Sequence, residues 1–258
     1  MIWILTTHPT DEWISIQKRH LSACLPQDEY RVIAVVPDGA RGSFDIEISD
    51  TAKNVEPSLA HQKNLSALTR RLVEESPKPD DVLIVLDGDA FPVCPMSSKI
   101  RAWVENLPLV TIELTQRLKK NYTEKMINCA FMVCKWQFFT QRFLKVGWRP
   151  TQHPGCRDTN GAMNLRLWKL GIDITRLRRS NIVEPLWPYF GIYGGCVYHN
   201  GIGFRGPPIR PRERRAGHDF FGPDAKNYEK VVYDYKLGVL RLMQKKIARD
   251  TNFWKSLI

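Results

Sequence analysis

The sequence predicts an α/β fold whose core is a mostly parallel sheet flanked by helices. Three observations predict it. Short, almost continuously apolar runs rich in β-branched residues recur along the chain, the pattern of strands buried on both faces. Segments of helical periodicity lie between them, giving the strand–helix–strand alternation of parallel sheets. A length of 258 residues with 43% hydrophobic content supplies one large core.

Ile2 to Leu5 reads as the first strand and runs into Thr6, Thr7 and His8. Thr10 is placed to cap a helix reaching about His20, with Trp13, Ile16 and Leu21 on one face. Arg31 to Val36 is a second strand, halted by the turn signal Pro37-Asp38-Gly39. Residues 40–57 read as an irregular loop. A helix follows from about Ser58 to Glu75, with Leu65, Leu68 and Leu72 at helical spacing and a Ser-Pro stop. Val82 to Leu86 is the next strand, Met96 to Asn106 a helix, and Leu109 to Leu114 a strand. Asn128 to Cys134 is a further strand, leading into a helix from Trp136 to about Val146. Asp158 to Gly161 opens a helix over Ala162 to Leu170, and Ile172 to Leu177 reads as a short strand. Beyond Pro185 come aromatics and paired glycines, then a Pro- and Arg-rich stretch from Arg205 to Arg215. A basic helix spans about Tyr228 to Arg249. No internal repeat or linker divides the chain.

The chemistry concentrates where the strand Val82 to Leu86 delivers Asp87-Gly88-Asp89. In extended chain, side chains at i and i+2 point to one side, so both carboxylates reach one point in space. Gly88 lets another group approach the backbone closely. Two like charges so near repel, and a bound divalent cation relieves the repulsion. Mg2+ and Mn2+ take such oxygen ligands, completed by substrate phosphates and water. Strand ends are also where open α/β sheets bind ligands. A solvated turn uses the same residue types; the apolar strand that delivers them favours the cation. Far along the chain, His199 sits in a glycine-rich aromatic segment from Tyr193 to Phe204. Two readings of it stand: a third metal ligand, or a hydrogen-bonded histidine in a turn.

Charge is lopsided, 38 Lys+Arg against 27 Asp+Glu, for a net +11. That points to an anionic partner: phosphates, nucleic acid or an acidic membrane surface. No helix-turn-helix, zinc-finger or RNA-recognition signature accompanies it, which argues against nucleic acid. Cys24, Cys94, Cys129, Cys134, Cys156 and Cys196 are scattered with no C-x-x-C pair, which disfavours structural zinc and a disulfide framework. Reduced thiols, an N-terminus without a signal-peptide pattern and no bilayer-length apolar run make the expected location cytoplasmic.

Strand order, Asp87-Gly88-Asp89 at mid-chain and a late His199 together resemble nucleotide-sugar glycosyltransferases of the GT-A fold. The phrase Leu86 to Pro92 is similar to bacterial members related to glycosyltransferase family 2. The resemblance covers about residues 1–204. It implies a Rossmann-like, mostly parallel central sheet flanked by helices over 1–204. Residues 205–258 then form a basic loop and C-terminal helix packed on or appended to that domain. It implies a metal-dependent hexosyltransferase using Mn2+ or Mg2+. Such an enzyme moves a sugar from a UDP- or GDP-sugar to a hydroxyl of a glycan or lipid-linked glycan.

Carried onto this chain, the resemblance makes Asp89 a metal ligand and gives Asp87 the ribose or the metal shell. It puts Thr6, Thr7 and Asp38 at the nucleoside, and His61 and Lys63 near base and ribose, with an ordinary exposed helix position as the alternative for those two. Asp158 resembles the catalytic or acceptor-binding acid, and an N-cap is its other reading. Arg205, with Arg210, Arg212, Arg214 and Arg215, either closes over the diphosphate or is a solvated basic loop. The C-terminal helix either packs on the body or contacts an anionic membrane carrying the acceptor. Two departures stand: the Q-x-x-R-W motif of processive synthases is absent, and Pro37-Asp38-Gly39 replaces the usual paired acids. Two competing classes remain, a haloacid-dehalogenase-type phosphatase, which also carries an acid pair after a strand, and a basic nucleic-acid-binding protein.

Overall fold

The computed structural model describes residues 1–8, 10–50, 52, 55, 57–112, 127–153, 159–181, 191–200, 238, 245–250 and 252–253. Ten strands and five helices follow in chain order among them. They are β1 (Ile2–Thr7), α1 (Ile14–Cys24), β2 (Tyr30–Val36), β3 (Ile46–Ser49), α2 (Pro57–Glu74), β4 (Val82–Asp87), β5 (Ala90–Pro92) and α3 (Ser97–Asn106). Then come β6 (Val110–Ile112), β7 (Phe131–Lys135), α4 (Trp136–Arg142), α5 (Gly161–Leu170), β8 (Thr175–Leu177), β9 (Gly191–Tyr193) and β10 (Val197–His199).

Seven strands form one sheet in the order β3-β2-β1-β4-β7-β6-β8. Neighbours pair in parallel except on either side of β7, which runs against β4 and β6. This is the expected α/β architecture, a mostly parallel sheet flanked by helices. The apolar runs explain it, because strands buried on both faces need two covers. Alternate residues of β1, β2 and β4 supply two separate cores. Ile2, Ile4, Val32, Ala34, Ile84 and Leu86 meet Ile14 and Leu21 of α1 and Ile100 of α3. Trp3, Leu5, Ile33, Val35, Leu83 and Val85 meet Leu65, Leu68 and Leu72 of α2, Phe139 of α4 and Leu167 of α5. Each such fully buried aliphatic side chain contributes about 1.5–3 kcal/mol.

Several boundaries differ from the sequence reading. Residues 40–57 are not wholly irregular: a 3₁₀ turn covers Asp38–Ala40, and β3 adds an edge strand beside β2. That strand is only half-buried throughout, so no apolar run announces it. Helix α1 begins at Ile14, with Trp13 at the N-cap position and no side-chain cap, so Thr10 does not cap it. Helix α4 stops at Arg142 rather than near Val146. The chain after Asp89 leaves the main sheet, and β5, β10 and β9 form a second, antiparallel three-stranded sheet.

Helix α1 seals β5 with a buried polar stripe. Gln17, His20 and Cys24 lie at i, i+3 and i+7, one helical face. Gln17 donates to the carbonyls of Asp87 and Ala90, and His20 Nδ1 lies 3.1 Å from the Pro92 carbonyl. The Cys24 thiol also reaches Pro92 O, at 3.7 Å. Burial, and secondarily the Arg19 charge, push the His20 pKa down to about 4, against the opposing pull of the Pro92 hydrogen bond. A folded pKa below the unfolded value means the unfolded chain takes up a proton that the folded chain refuses. Stability is therefore expected to fall as pH drops from 6.5 to about 4, by up to about 3 kcal/mol from this ring. Urea unfolding of wild type and His20→Gln at pH 7 and pH 4.5 checks this, since the variant should lose about one proton's worth of the slope.

The described part of the C-terminal helix docks on the same body. Arg19 donates to the carbonyls of Ile247 and Ala248 at 2.5 and 2.6 Å, and Ile247 is buried. Lys245, Lys246 and Arg249 are exposed. Among the described residues no helix is long and apolar enough to cross a membrane.

Candidate functional site

The site forms where the two sheets meet. Strand β4 pairs with β1 in register, Thr7 opposite Asp87, so the ends of both strands lie side by side. The Gly88 N–H donates to Thr7 O at 3.1 Å, drawing the turn against β1. A Cβ at Gly88 would stand 2.4 Å from Thr7 O and 2.8 Å from His8 Nδ1. Glycine is therefore required by contact, not only by conformation.

The third side chain arrives through the second sheet. β9 and β10 are joined through Gly194 and Gly195, both at positive φ (57° and 61°), where other residues are strained. The hairpin lays His199 opposite Ala90, and the Asn200 N–H donates to Asp89 O at 3.1 Å. His199 Nε2 then stands 3.8 Å from Asp89 Oδ1 and 3.9 Å from Asp87 Oδ2. Asp87, Asp89 and His199 each offer a ligand atom within 4.8 Å of the others. The Asp89 carboxylate is 5% exposed, the His199 side chain 15% and the Asp87 carboxylate 24%, so the cluster is a recess still partly open to solvent.

This donor set fits a divalent cation. Two carboxylate oxygens and one imidazole nitrogen suit Mn2+-class ions, which complete their shell with waters or phosphate oxygens. A fourth polar group joins from α2, whose His61 Nε2 lies 3.1 Å from Asp87 Oδ1. Burial acts to lower the His61 pKa, but the charge of Asp87, its hydrogen bond and the neighbouring Cys129 thiol raise it well above the usual imidazole value. His61 thus offsets part of the acidic charge from behind.

The other residues singled out in the sequence are placed as follows. Thr6 is fully buried and its hydroxyl lies 3.4 Å from His8 Nε2, whereas Thr7 is buried beside Asp87. Asp38 is exposed on the 3₁₀ turn after β2, and Lys63 is exposed on α2. Asp158 and Arg205 lie outside the described residues, as do Arg210, Arg212, Arg214 and Arg215. Asn160, not Asp158, occupies the N-cap position of α5.

Two residues at the site were missed. Gln17 and His8 are both fully buried, and His8 Nε2 lies 3.0 Å from Gln17 Oε1. His8 also stacks on Phe44, ring centroids 5.3 Å apart. Phe44 is held there by its loop: the Gly42, Ser43 and Phe44 N–H groups all donate to the Glu47 carboxylate. The available signal was a glutamine on the apolar face of α1 and a histidine directly after an apolar strand, both places where a polar side chain needs a buried partner.

With this geometry in view, solved structures supply the comparison. LgtC, a galactosyltransferase in complex with donor and acceptor sugar analogs, matches at 13% identity over 67% of this chain and 73% of its own, TM-score 0.42. The mannosyltransferase PcManGT from Pyrobaculum calidifontis, in complex with GDP-Man and Mn2+, matches at 9% over 95% and 71%, TM-score 0.46. S. aureus TarS 1-349 in complex with UDP-GlcNAc matches at 10% over 92% and 71%, TM-score 0.42. The structural neighbours are glycosyltransferases. No protein-family model matches the chain, and no curated protein matches it. Likenesses this remote carry nothing about substrate or mechanism, so the chemistry rests on the recess itself.

Proposed function

We infer that the chain is a metal-dependent glycosyltransferase, moving a sugar from a nucleoside-diphosphate sugar to a hydroxyl acceptor. The observation that carries this is the convergence of Asp87, at the end of β4, Asp89, in the turn to β5, and His199, at the end of β10. Acids on the fourth strand, with three strands of the sheet before them, also suit this better than a phosphatase whose nucleophile opens the fold.

In this reading Asp89 and His199 hold the cation, and Asp87 shares it or reaches the ribose. Bound there, Mn2+ or Mg2+ supplies Lewis-acid stabilisation of the departing diphosphate. The buried position of Asp89 keeps its ligand oxygen in one place, and low local dielectric strengthens its hold. Thr6, Thr7 and Asp38, at the ends of β1 and β2, are assigned to the nucleoside side of the donor, and His61 and Lys63 on α2 to the neighbourhood of its base and ribose. Arg205 and the arginines after it are assigned to the diphosphate, where they neutralise charge as the bond breaks. The site belongs to a domain of residues 1–204, with 205–258 packed on it, and the Arg19 contacts to Ile247 and Ala248 support that packing. The acceptor is assigned as a glycan or lipid-linked glycan hydroxyl, and the exposed Lys245, Lys246 and Arg249 suit work on a cytoplasmic, anionic membrane face.

Asp158 is proposed as the base that takes the acceptor proton. Asp158→Asn is expected to lower kcat by about 10²–10⁴-fold while leaving donor affinity unchanged. Retained turnover would remove it from the mechanism. The function as a whole is tested by thermal shift with UDP-, GDP- and CMP-sugars, each with and without Mn2+. One donor should raise Tm only when the ion is present, and indifference to all of them would overturn the assignment.

A further inference from the structure

The turn that carries both acids is fastened from behind by a single side chain. Gln17 Nε2 donates to the Asp87 carbonyl at 2.9 Å and the Ala90 carbonyl at 2.8 Å. These two carbonyls bracket Gly88 and Asp89. Both amide hydrogens are thereby spent, so Gln17 Oε1 faces His8 as an acceptor and His8 Nε2 carries the proton, at 3.0 Å. Gln17 Oε1 fixes that tautomer, because only a protonated Nε2 can donate to it. The ring is in turn immobilised by its stack on Phe44. The chain of contacts runs from the β2–β3 loop through Phe44, His8 and Gln17 to the backbone on both sides of Asp89.

The turn needs such a fastening because it lies between sheets. β4 ends at Asp87 in the main sheet and β5 begins at Ala90 in the second, so no single ladder holds both. Backbone bonds hold single residues of the turn as well: Asp87 N–H on Ala130 O, Gly88 N–H on Thr7 O, and Asp89 O receiving Asn200 N–H, each at 3.1 Å. Gln17 alone among these links the two strand ends with one planar amide. It therefore sets the span of backbone from which Asp87 and Asp89 project.

We propose that Gln17, oriented by His8, is a positioning residue for the cation recess, setting the separation of the Asp87 and Asp89 carboxylates without touching the ion. This rests on the metal-binding reading above. Partners that orient metal ligands from behind are typically worth about 10- to 100-fold in metal affinity.

The test uses Mn2+ alone, with no sugar nucleotide, titrated into the full chain and followed by calorimetry and by the electron-spin signal of free Mn2+. Gln17→Met keeps length and packing but removes both donors, and it is expected to raise the Mn2+ Kd about 10- to 100-fold. His8→Phe keeps the stack on Phe44 but removes the donor to Gln17, and it should raise the Kd by a smaller factor, about 3- to 10-fold. It also decides the matter should Gln17→Met not fold. A merely structural glutamine would lower Tm in EDTA and leave the Kd of the folded variant unchanged, and that outcome, in both variants, overturns the proposal. Wild-type protein that binds no Mn2+ would instead overturn the metal reading on which it stands.

Discussion

Asp89→Asn should bind Mn2+ more than about 100-fold more weakly than wild type, and lose about 10²–10³ in kcat/KM for sugar transfer. The floor on affinity follows from what orienting partners alone are worth, since a ligand removed costs more than a partner behind it. The rate loss follows from the charge on the leaving diphosphate, which has no buried counter-ion once the cation is lost. Asparagine conserves the volume of this buried side chain, and its removal of one of two neighbouring like charges relieves repulsion in the metal-free protein. Unfolding in EDTA should accordingly occur near the wild-type temperature. Calorimetric titration with Mn2+ beside a transfer assay checks both parts, and wild-type affinity in the variant would defeat the assignment of Asp89.

Gly88→Ala carries the second large effect, and through a different cause. Its Cβ would enter space already held by Thr7 O, 2.4 Å away, and His8 Nδ1, 2.8 Å away. One neighbour is backbone of a central strand and the other is a buried ring locked between Gln17 and Phe44, so neither yields cheaply. Overpacking of this kind costs about 1–3 kcal/mol, which for a chain of this size is a Tm loss of roughly 2–12 °C. The turn must also swing away from β1, carrying both carboxylates off His199, so metal affinity should fall with stability. A variant that unfolds earlier yet binds Mn2+ normally would show that the turn tolerates the shift. Differential scanning calorimetry with and without the ion separates the two.

These expectations show which parts of the molecule were legible beforehand. The strands β1, β2, β4 and β7 were read with small boundary errors because burial on both faces leaves an unbroken apolar run. β3 was missed because an edge strand buries only part of one face, and Ile46 to Ser49 alternates apolar and polar residues beside Asp45. β5 was missed because three residues cannot announce that they belong to another sheet. The acids and His199 were found by residue type and order along the chain, while His61 was named for the donor and stands against Asp87. Gln17 and His8 were not found at all. A polar residue on a helix face says that it needs a buried partner, and only the packed structure says which carbonyls it meets.

From the residues alone came the alternation that splits the apolar side chains between two cores, and the strand tip that presents two carboxylates on one side. Both are properties of a few neighbouring residues, set by backbone geometry and the pleat. Packing decided that β10 would lie beside β5, that His199 would close the recess, and that α1 would hold the acid-bearing turn from behind. Those contacts join segments distant along the chain, and their free energy comes from surfaces that exist only once both sheets have formed.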